Sequence, residues 1–255
     1  MRASDQRRLC ICAHIADRDV IRHVDPNVLL IATEQAADLY ESDQSVVDLL
    51  NLLHVRSREA IQLLDRYLFV IPPCPEDESA LFAGFFEHIA SEYEHLIDPS
   101  CNLHNISVLI SLLTTIIGDL RGLSILDFGC GTGLSLGPLE AAEASLIGMD
   151  RSMGMRKVAE ARGMHVISLE ELVAWPGTFD GVISSYVFHL CLDRRSVEVI
   201  CSKLRSGGAV VGNCHKDLGI TLVTQLFHQF GCEPLSPTGF VDNSRHGRYL
   251  AFIKG

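Results

Sequence analysis

Ile125-Leu126-Asp127-Phe128-Gly129-Cys130-Gly131-Thr132-Gly133 carries the first decision about the fold. Two apolar residues run into an acid, and three glycines follow at every second position. That is the pattern of a buried strand ending in a tight turn that opens a helix. Glycine suits such a turn because the chain must take positive φ and because a side chain would hold a ligand away from the backbone. The spacing is G-x-G-x-G with an acid two residues earlier, not the G-x-G-x-x-G of a dinucleotide-binding turn. A pyrophosphate seeks bare N–H groups at a helix N-terminus, whereas a carboxylate at Asp127 repels it. The turn is therefore matched to a ligand that carries a positive group.

From Leu123 onward strand and helix patterns alternate, the signature of an α/β protein with a parallel sheet wrapped on both faces. Strands are expected at about 124–128, 145–149, 164–167, 180–184, 208–213, 232–235 and 247–253. Leu146-Ile147-Gly148-Met149-Asp150 is a short apolar strand ending in an acid. A carboxylate there can accept two hydrogen bonds from a ribose diol, and Asp150 can also N-cap the helix that follows. Phe179-Asp180-Gly181-Val182-Ile183-Ser184-Ser185-Tyr186-Val187-Phe188-His189-Leu190 leads a strand to the carboxyl edge of the sheet, where open α/β folds bind ligands. His189 is the first candidate for a general base, with a structural histidine as the alternative reading. His215 follows the strand Ala209–Cys214 at the same edge, where it and Lys216 can face a substrate that Asn213 orients, with an exposed histidine of no role as the alternative reading.

These stretches resemble motifs of the class I S-adenosylmethionine-dependent methyltransferases. Asp127 to Gly133 is similar to the first motif, D/E-x-G-x-G-x-G, at every defining position. Gly148 to Met155 looks like the second, G-x-D-x-S-x-x-M, and Phe179 to Leu190 like the fourth, F-D-x-V-x-s-x-x-x-x-H-h. Upstream, Phe86-Glu87-His88-Ile89-Ala90-Ser91-Glu92-Tyr93-Glu94 is similar to the F-D-x-I-A-x-x-Y-D opening of many small-molecule members. The resemblance covers about Phe86 to Gly255. It implies a doubly wound, seven-stranded, mostly parallel Rossmann-like sheet with an antiparallel strand over 248–253, S-adenosyl-L-methionine as cofactor and a small-molecule acceptor.

By the same resemblance, Asp127, Gly129, Cys130, Gly131, Gly133, Asp150, Arg151, Met155, Ser168, Leu169 and Ser184 are the expected cofactor-binding positions. Tyr93, set over the cofactor pocket, joins His189 and His215 as a catalytic candidate; it also reads as a core-facing aromatic on an apolar stripe. The chain departs from the pattern at Val166-Ile167-Ser168-Leu169-Glu170. Most relatives carry an aspartate there for the adenine amino group, and a serine hydroxyl accepts more weakly. The N–H of Leu169, or Glu170, is expected to help.

Residues 1 to about 72 contain no glycine and show helical rather than alternating periodicity. Two amphipathic helices are expected, Val46 to Leu53 and Ser57 to Leu68, with Ser57 as an N-cap. The pair faintly resembles the N-terminal dimerisation helices of some small-molecule O-methyltransferases, which implies a lid or a homodimer contact. Ile71-Pro72-Pro73-Cys74-Pro75 cannot continue a helix, so the expected division is a helical region over 1–75 and a catalytic domain over 76–255. Leu81 to Ile97 follows as an amphipathic helix, and Asn105 to Leu120 as an apolar one. On the former, His88, Glu92 and His95 have metal-ligand spacing, but a solvated polar face is the simpler reading and no metal is assigned.

Composition excludes some classes. A formal net charge of -11 disfavours a nucleic-acid surface. With 47 % apolar and 21 % charged residues a sizeable core is expected. No apolar run is expected to span a membrane, which takes about 20 residues. Arg2, Arg7 and Arg8 before Leu9–Ala13 imitate a secretion signal, but His14, Asp17 and Asp19 cut the apolar stretch short. Nine scattered cysteines suit a reducing cytoplasm, and Cys10-x-Cys12-x-His14 lacks a second pair at zinc spacing. The function expected is methyl transfer to a small acceptor, with base catalysis optional. Its rivals are a non-methylating protein on the same fold and a protein or RNA methyltransferase, RNA being disfavoured by charge.

Overall fold

The computed structural model describes strands 8–12, 28–31, 59–63 and 67–71, and residues 75–188, 192–214, 220–235 and 247–255. The chain divides into two compact units, 1–92 and 93–255.

In the first unit, β1 (Arg8–Cys12), β2 (Val28–Ile31), β3 (Glu59–Leu63) and β4 (Tyr67–Ile71) form a sheet in the order β2-β1-β4-β3. β1 runs parallel to β2 and β4, and β3 runs antiparallel to β4. Helix α1 (Pro75–Ile89) lies against β1 and β2 and buries Leu81, Phe82, Phe85 and Ile89. The helix expected over 57–68 is therefore replaced by two strands. Tyr67-Leu68-Phe69-Val70-Ile71 explains the difference, since a short, wholly apolar run fits helix and strand periods alike, and its mostly β-branched and aromatic residues then favour the strand. A homodimer contact through leader helices would find strands at Glu59–Leu63 and Tyr67–Ile71. The helix expected over 46–53 lies outside the described residues. α1 also stops at Ile89, short of the expected Ile97, so His88, Glu92 and His95 do not share one continuous helix.

The second unit begins with α2 (Tyr93–Leu96) and α3 (Pro99–Ile117), the latter capped by Asp98, whose carboxylate accepts from the N–H groups of Ser100 and Cys101. The sheet that follows contains β5 (Ser124–Phe128), β6 (Ser145–Met149), β7 (Val166–Ile167), β8 (Phe179–Ser184), β9 (Leu204–Cys214), β10 (Cys232–Leu235) and β11 (Arg248–Lys254). Their order is β10-β11-β9-β8-β5-β6-β7. All neighbours are parallel except β11, which runs antiparallel to both β9 and β10. The seven strands expected between 124 and 253 all form, with shifted ends.

Side chains alternate across each strand, so neighbouring residues serve different cores. Leu126, Val182, Val210 and Phe252 face one cluster; Ile125, Ile183, Val211 and Ala251 face the other. The first is covered by α6 (Leu169–Ala174), α7 (Arg194–Lys203) and α8 (Ile220–Gln229), with Phe227 stacked on Phe252 at 4.3 Å between ring centroids. The second is covered by α3 and α4 (Leu136–Ala141) through Leu109, Leu112, Leu113 and Leu139. α3 is long and apolar enough to cross a membrane by length and composition, which the expectation of no spanning segment leaves out; its residues Asn105, Ile106, Leu109, Leu112 and Leu113 are buried.

After β5 the chain moves to β6 and β7 on one side, then returns to β8 and β9 on the other. The carboxyl ends of β5 and β8 thus flank the point where the winding reverses, the place where open α/β sheets form a crevice.

Candidate functional site

Gly129, Gly131 and Gly133 all have positive φ, +78°, +54° and +82°. A Cβ on Gly129 would collide with the Val187 side chain, and one on Gly133 would come within 3.1 Å of the Ala159 Cβ. At Gly131 an added Cβ meets nothing within 4 Å, so the turn is filled on two sides and open on the third. The turn is pinned from β6. The N–H groups of Gly129 and Cys130 donate to the Met149 carbonyl at 2.8 and 3.0 Å.

Asp150 supplies the other brace. Its Oδ2 accepts from the Gly131 N–H at 2.9 Å and its Oδ1 from the Ser152 N–H at 2.9 Å. One carboxylate thereby ties the glycine turn to the start of α5 (Met153–Ala161), whose N-cap is Ser152 and not Asp150. Burial raises the Asp150 pKa, opposed by those two N–H groups and by Arg156 and Arg151.

Asp127 is 3 % exposed, and its Oδ2 accepts from the Ser135 hydroxyl. Its Oδ1 is buried with no hydrogen-bond partner. Burial, helped by the nearby Asp150 and opposed by Ser135, pushes its pKa up to about 7. A buried carboxylate oxygen without a donor is costly, and an ammonium is the group that best relieves it. The second acid keeps acceptor capacity for a diol, since a carboxylate offers about four lone-pair sites and two are used. The residues at this turn thus fit a cationic nucleoside.

The remaining expected positions fall in varied places. Cys130 buries its thiol among Ala159, Met164 and Val166, so only its backbone borders the turn. Ser184 is fully buried and donates to the Phe128 carbonyl at 2.8 Å, joining β8 to β5. Met155 is 1 % exposed within α5, and Leu169 belongs to the core beneath α6. Arg151 turns away from the glycine turn to Asp193 (2.6 Å) and Ser196 (2.7 Å) at the start of α7. Burial alone would raise the Asp193 pKa; Arg151 and Ser196 outweigh it and hold it low. His189 and His215 lie outside the described residues.

Ser168 closes a capping box. Its hydroxyl accepts from the Glu171 N–H at 3.2 Å, and the Glu171 carboxylate accepts from the Ser168 N–H at 2.7 Å. Substitution by alanine is expected to lower stability by about 1 kcal/mol, measured by denaturant titration. A loss of cofactor affinity beyond that cost would support the adenine role of the hydroxyl.

A second polar group stands next to this turn, and its centre, Asn105, escaped the sequence reading. Asn105 and Asn213 are both fully buried. Asn105 Nδ2 donates to Asn213 Oδ1 at 3.0 Å and to Ser185 Oγ at 2.8 Å, and its Oδ1 accepts from the Tyr249 hydroxyl at 2.8 Å. Asn213 Oδ1 also accepts from the Tyr186 N–H at 2.7 Å. Tyr186 has φ +61°, rare for a residue with a bulky side chain. The available signal was an asparagine on the apolar stripe of α3, a buried amide that must be paired. Tyr93, half-buried, has its pKa pushed up to about 12 by burial, with Asp150 and Glu94 adding and a hydrogen bond to Asn102 opposing.

Comparison with known proteins agrees with this geometry. Residues 126–212 match the family model described as "Methyltransferase domain". An uncharacterized methyltransferase of Bacillus pumilus is 27 % identical over 138 residues, 51 % of this chain and 65 % of that protein. The mitochondrial ubiquinone biosynthesis O-methyltransferase of Homo sapiens is 35 % identical over 104 residues, 36 % of this chain and 28 % of that one. The chain thus spans less than two thirds of the length of these curated relatives. Among solved structures, the sugar N-methyltransferase KedS8 from Streptoalloteichus superposes with a TM-score of 0.52 at 16 % identity, covering 64 % of this chain and 91 % of its own. These matches show a methyltransferase domain over residues 126–212, built on the fold that solved methyltransferases share.

Proposed function

We propose that this protein transfers a methyl group from S-adenosylmethionine to a small-molecule acceptor. The observation that carries the reading is the unpartnered, buried Oδ1 of Asp127 beside a glycine turn braced by Asp150. Asp127 receives the ammonium of the cofactor, Asp150 its ribose diol, and the open side of Gly131 the backbone's close approach. When bound, the cofactor supplies an electrophilic sulfonium methyl. The chain's own work is to fix the donor, hold the acceptor in line with it and keep water out. Tyr93 keeps its proton at neutral pH and so offers a hydrogen-bond donor, not a base.

Two similar proteins support a small acceptor: the human relative is a ubiquinone biosynthesis O-methyltransferase, and KedS8 is a sugar N-methyltransferase. The test is incubation with methyl-labelled S-adenosylmethionine and a panel of small phenols, amines, sugars and carboxylic acids, read as label in a product of low mass. Label in the protein itself or in added RNA, or tight cofactor binding with no transfer to any acceptor, would sink the reading.

A further inference from the structure

Two thiols at the opposite edge of the sheet have no part in the site just described. Cys201 lies near the end of α7 and Cys232 opens β10, and their Sγ atoms stand 3.3 Å apart although the residues are separated by 31 positions in the chain. Both side chains are buried in the core under α6, α7 and α8, at 2 % and 0 % exposure. The sulfurs meet because the backbone around them is held in register. Cys232 stands opposite Lys254 in the pairing of β10 with β11, and the Lys254 ammonium donates to the carbonyls of Cys201 and Leu204, each at 2.7 Å. One lysine thus ties the end of α7 and the start of β9 to the strand that carries Cys232.

β9 and β10 both run antiparallel to β11, so both begin at the amino edge of the sheet, away from the crevice at the carboxyl ends of β5 and β8. A disulfide brings its sulfurs to about 2.05 Å, so closing a bond from 3.3 Å asks for a movement of about 1.3 Å. Side-chain rotation and a small shift of β10 supply it. β10 is four residues long and ends the strand order, with β11 as its neighbour. A short strand at an edge opens at low free-energy cost, which admits a small oxidant to a buried thiol. A hydrogen bond from Cys201 lowers the Cys232 pKa against burial, and the Lys254 ammonium helps. The Cys232 thiolate is therefore the nucleophile that begins an exchange.

We propose that Cys201 and Cys232 are a modification site, forming a reversible disulfide by exchange with a low-molecular-weight disulfide. The Cys232 thiolate attacks one sulfur of that oxidant, a mixed disulfide forms, and one thiolate leaves and takes up a proton. Cys201 then loses its proton, displaces the second thiolate and closes the bond. The two protein thiols are oxidised, the incoming disulfide is reduced to two thiols, and the protons given up by the cysteines end on those leaving groups. The bond fastens the edge strand to α7 and leaves the glycine turn untouched, so it acts on stability and not on cofactor binding.

The experiment treats the full, natively folded chain with oxidised glutathione, maps the product by peptide mass spectrometry without reduction, and then returns it with dithiothreitol. A peptide pair joined through Cys201 and Cys232 is expected, and two free thiols after the return. In the unfolded chain the bond closes a loop spanning 31 positions, so the oxidised protein should melt roughly 5–15 °C above the reduced one. Cys201→Ser should stop at a glutathione mixed disulfide on Cys232 and show no such rise. S-adenosylhomocysteine affinity, read by calorimetry, should be the same in the reduced and oxidised proteins. Free thiols at both positions after treatment, a bond from either to another cysteine, or a melting temperature unchanged or lowered by the bond would overturn the proposal. A loss of S-adenosylhomocysteine affinity on oxidation would overturn the claim that the bond acts on stability alone.

Discussion

Asp150→Ala is expected to weaken S-adenosylhomocysteine binding by about a hundredfold or more. The carboxylate accepts from the N–H groups of Gly131 and Ser152, both at 2.9 Å, so its removal frees the glycine turn as well as deleting the ribose contact. Hydrogen bonds to a charged group contribute about 1.5–3 kcal/mol each, and two or three are lost together. Asparagine is no conservative replacement, because its amide nitrogen would face one of those two N–H donors. Isothermal calorimetry on the purified variant decides the matter. Unchanged affinity would refute the ribose assignment, and circular dichroism would show whether the variant still folds.

Asp127 makes stability and binding run in opposite directions with pH. Its pKa is about 7 in the folded chain against an ordinary 3.8. Between those values the folded state holds a proton that the unfolded state has released, so the unfolding free energy falls as pH rises and levels above about 7. The sign is that of a raised acid: its stabilising share is complete below 3.8 and gone above about 7. The loss amounts to a few kcal/mol. Binding an ammonium requires the ionised form, so affinity for S-adenosylhomocysteine should tighten by up to about tenfold per pH unit as pH rises toward 7. Asp127→Asn should flatten the stability profile, melt higher than the natural protein at pH 8 and bind the cofactor poorly. Parallel melting profiles for the two proteins from pH 4 to 8 would refute the raised pKa of this carboxyl.

What could be seen in the sequence followed physical period and local chemistry. The central strands were legible because residues such as Ile125 and Leu126 are both buried, on opposite faces, which produces a continuous apolar run ended by an acid and glycines. Asp127 and Asp150 stood out because each terminates such a run. The first unit was not legible as strands, since Tyr67–Ile71 is apolar at every position and so fits both periods. Within the site, local chemistry could not show where a side chain would turn. Arg151 sits beside Asp150 in the chain but pairs with Asp193, and Asn105 pairs with a residue 108 positions away. Contacts of that range exist only once the sheet is assembled.

The place of β11 has a consequence for how the domain is made. Strand 232–235 is synthesised before strand 248–254, yet it reaches the sheet only through that later strand. Until 248–254 has emerged, β9 presents an open edge on that side, a template for foreign strands. The nascent chain therefore passes through a stage at which that edge is complete on one side only, and the last strand to emerge is the one that closes it.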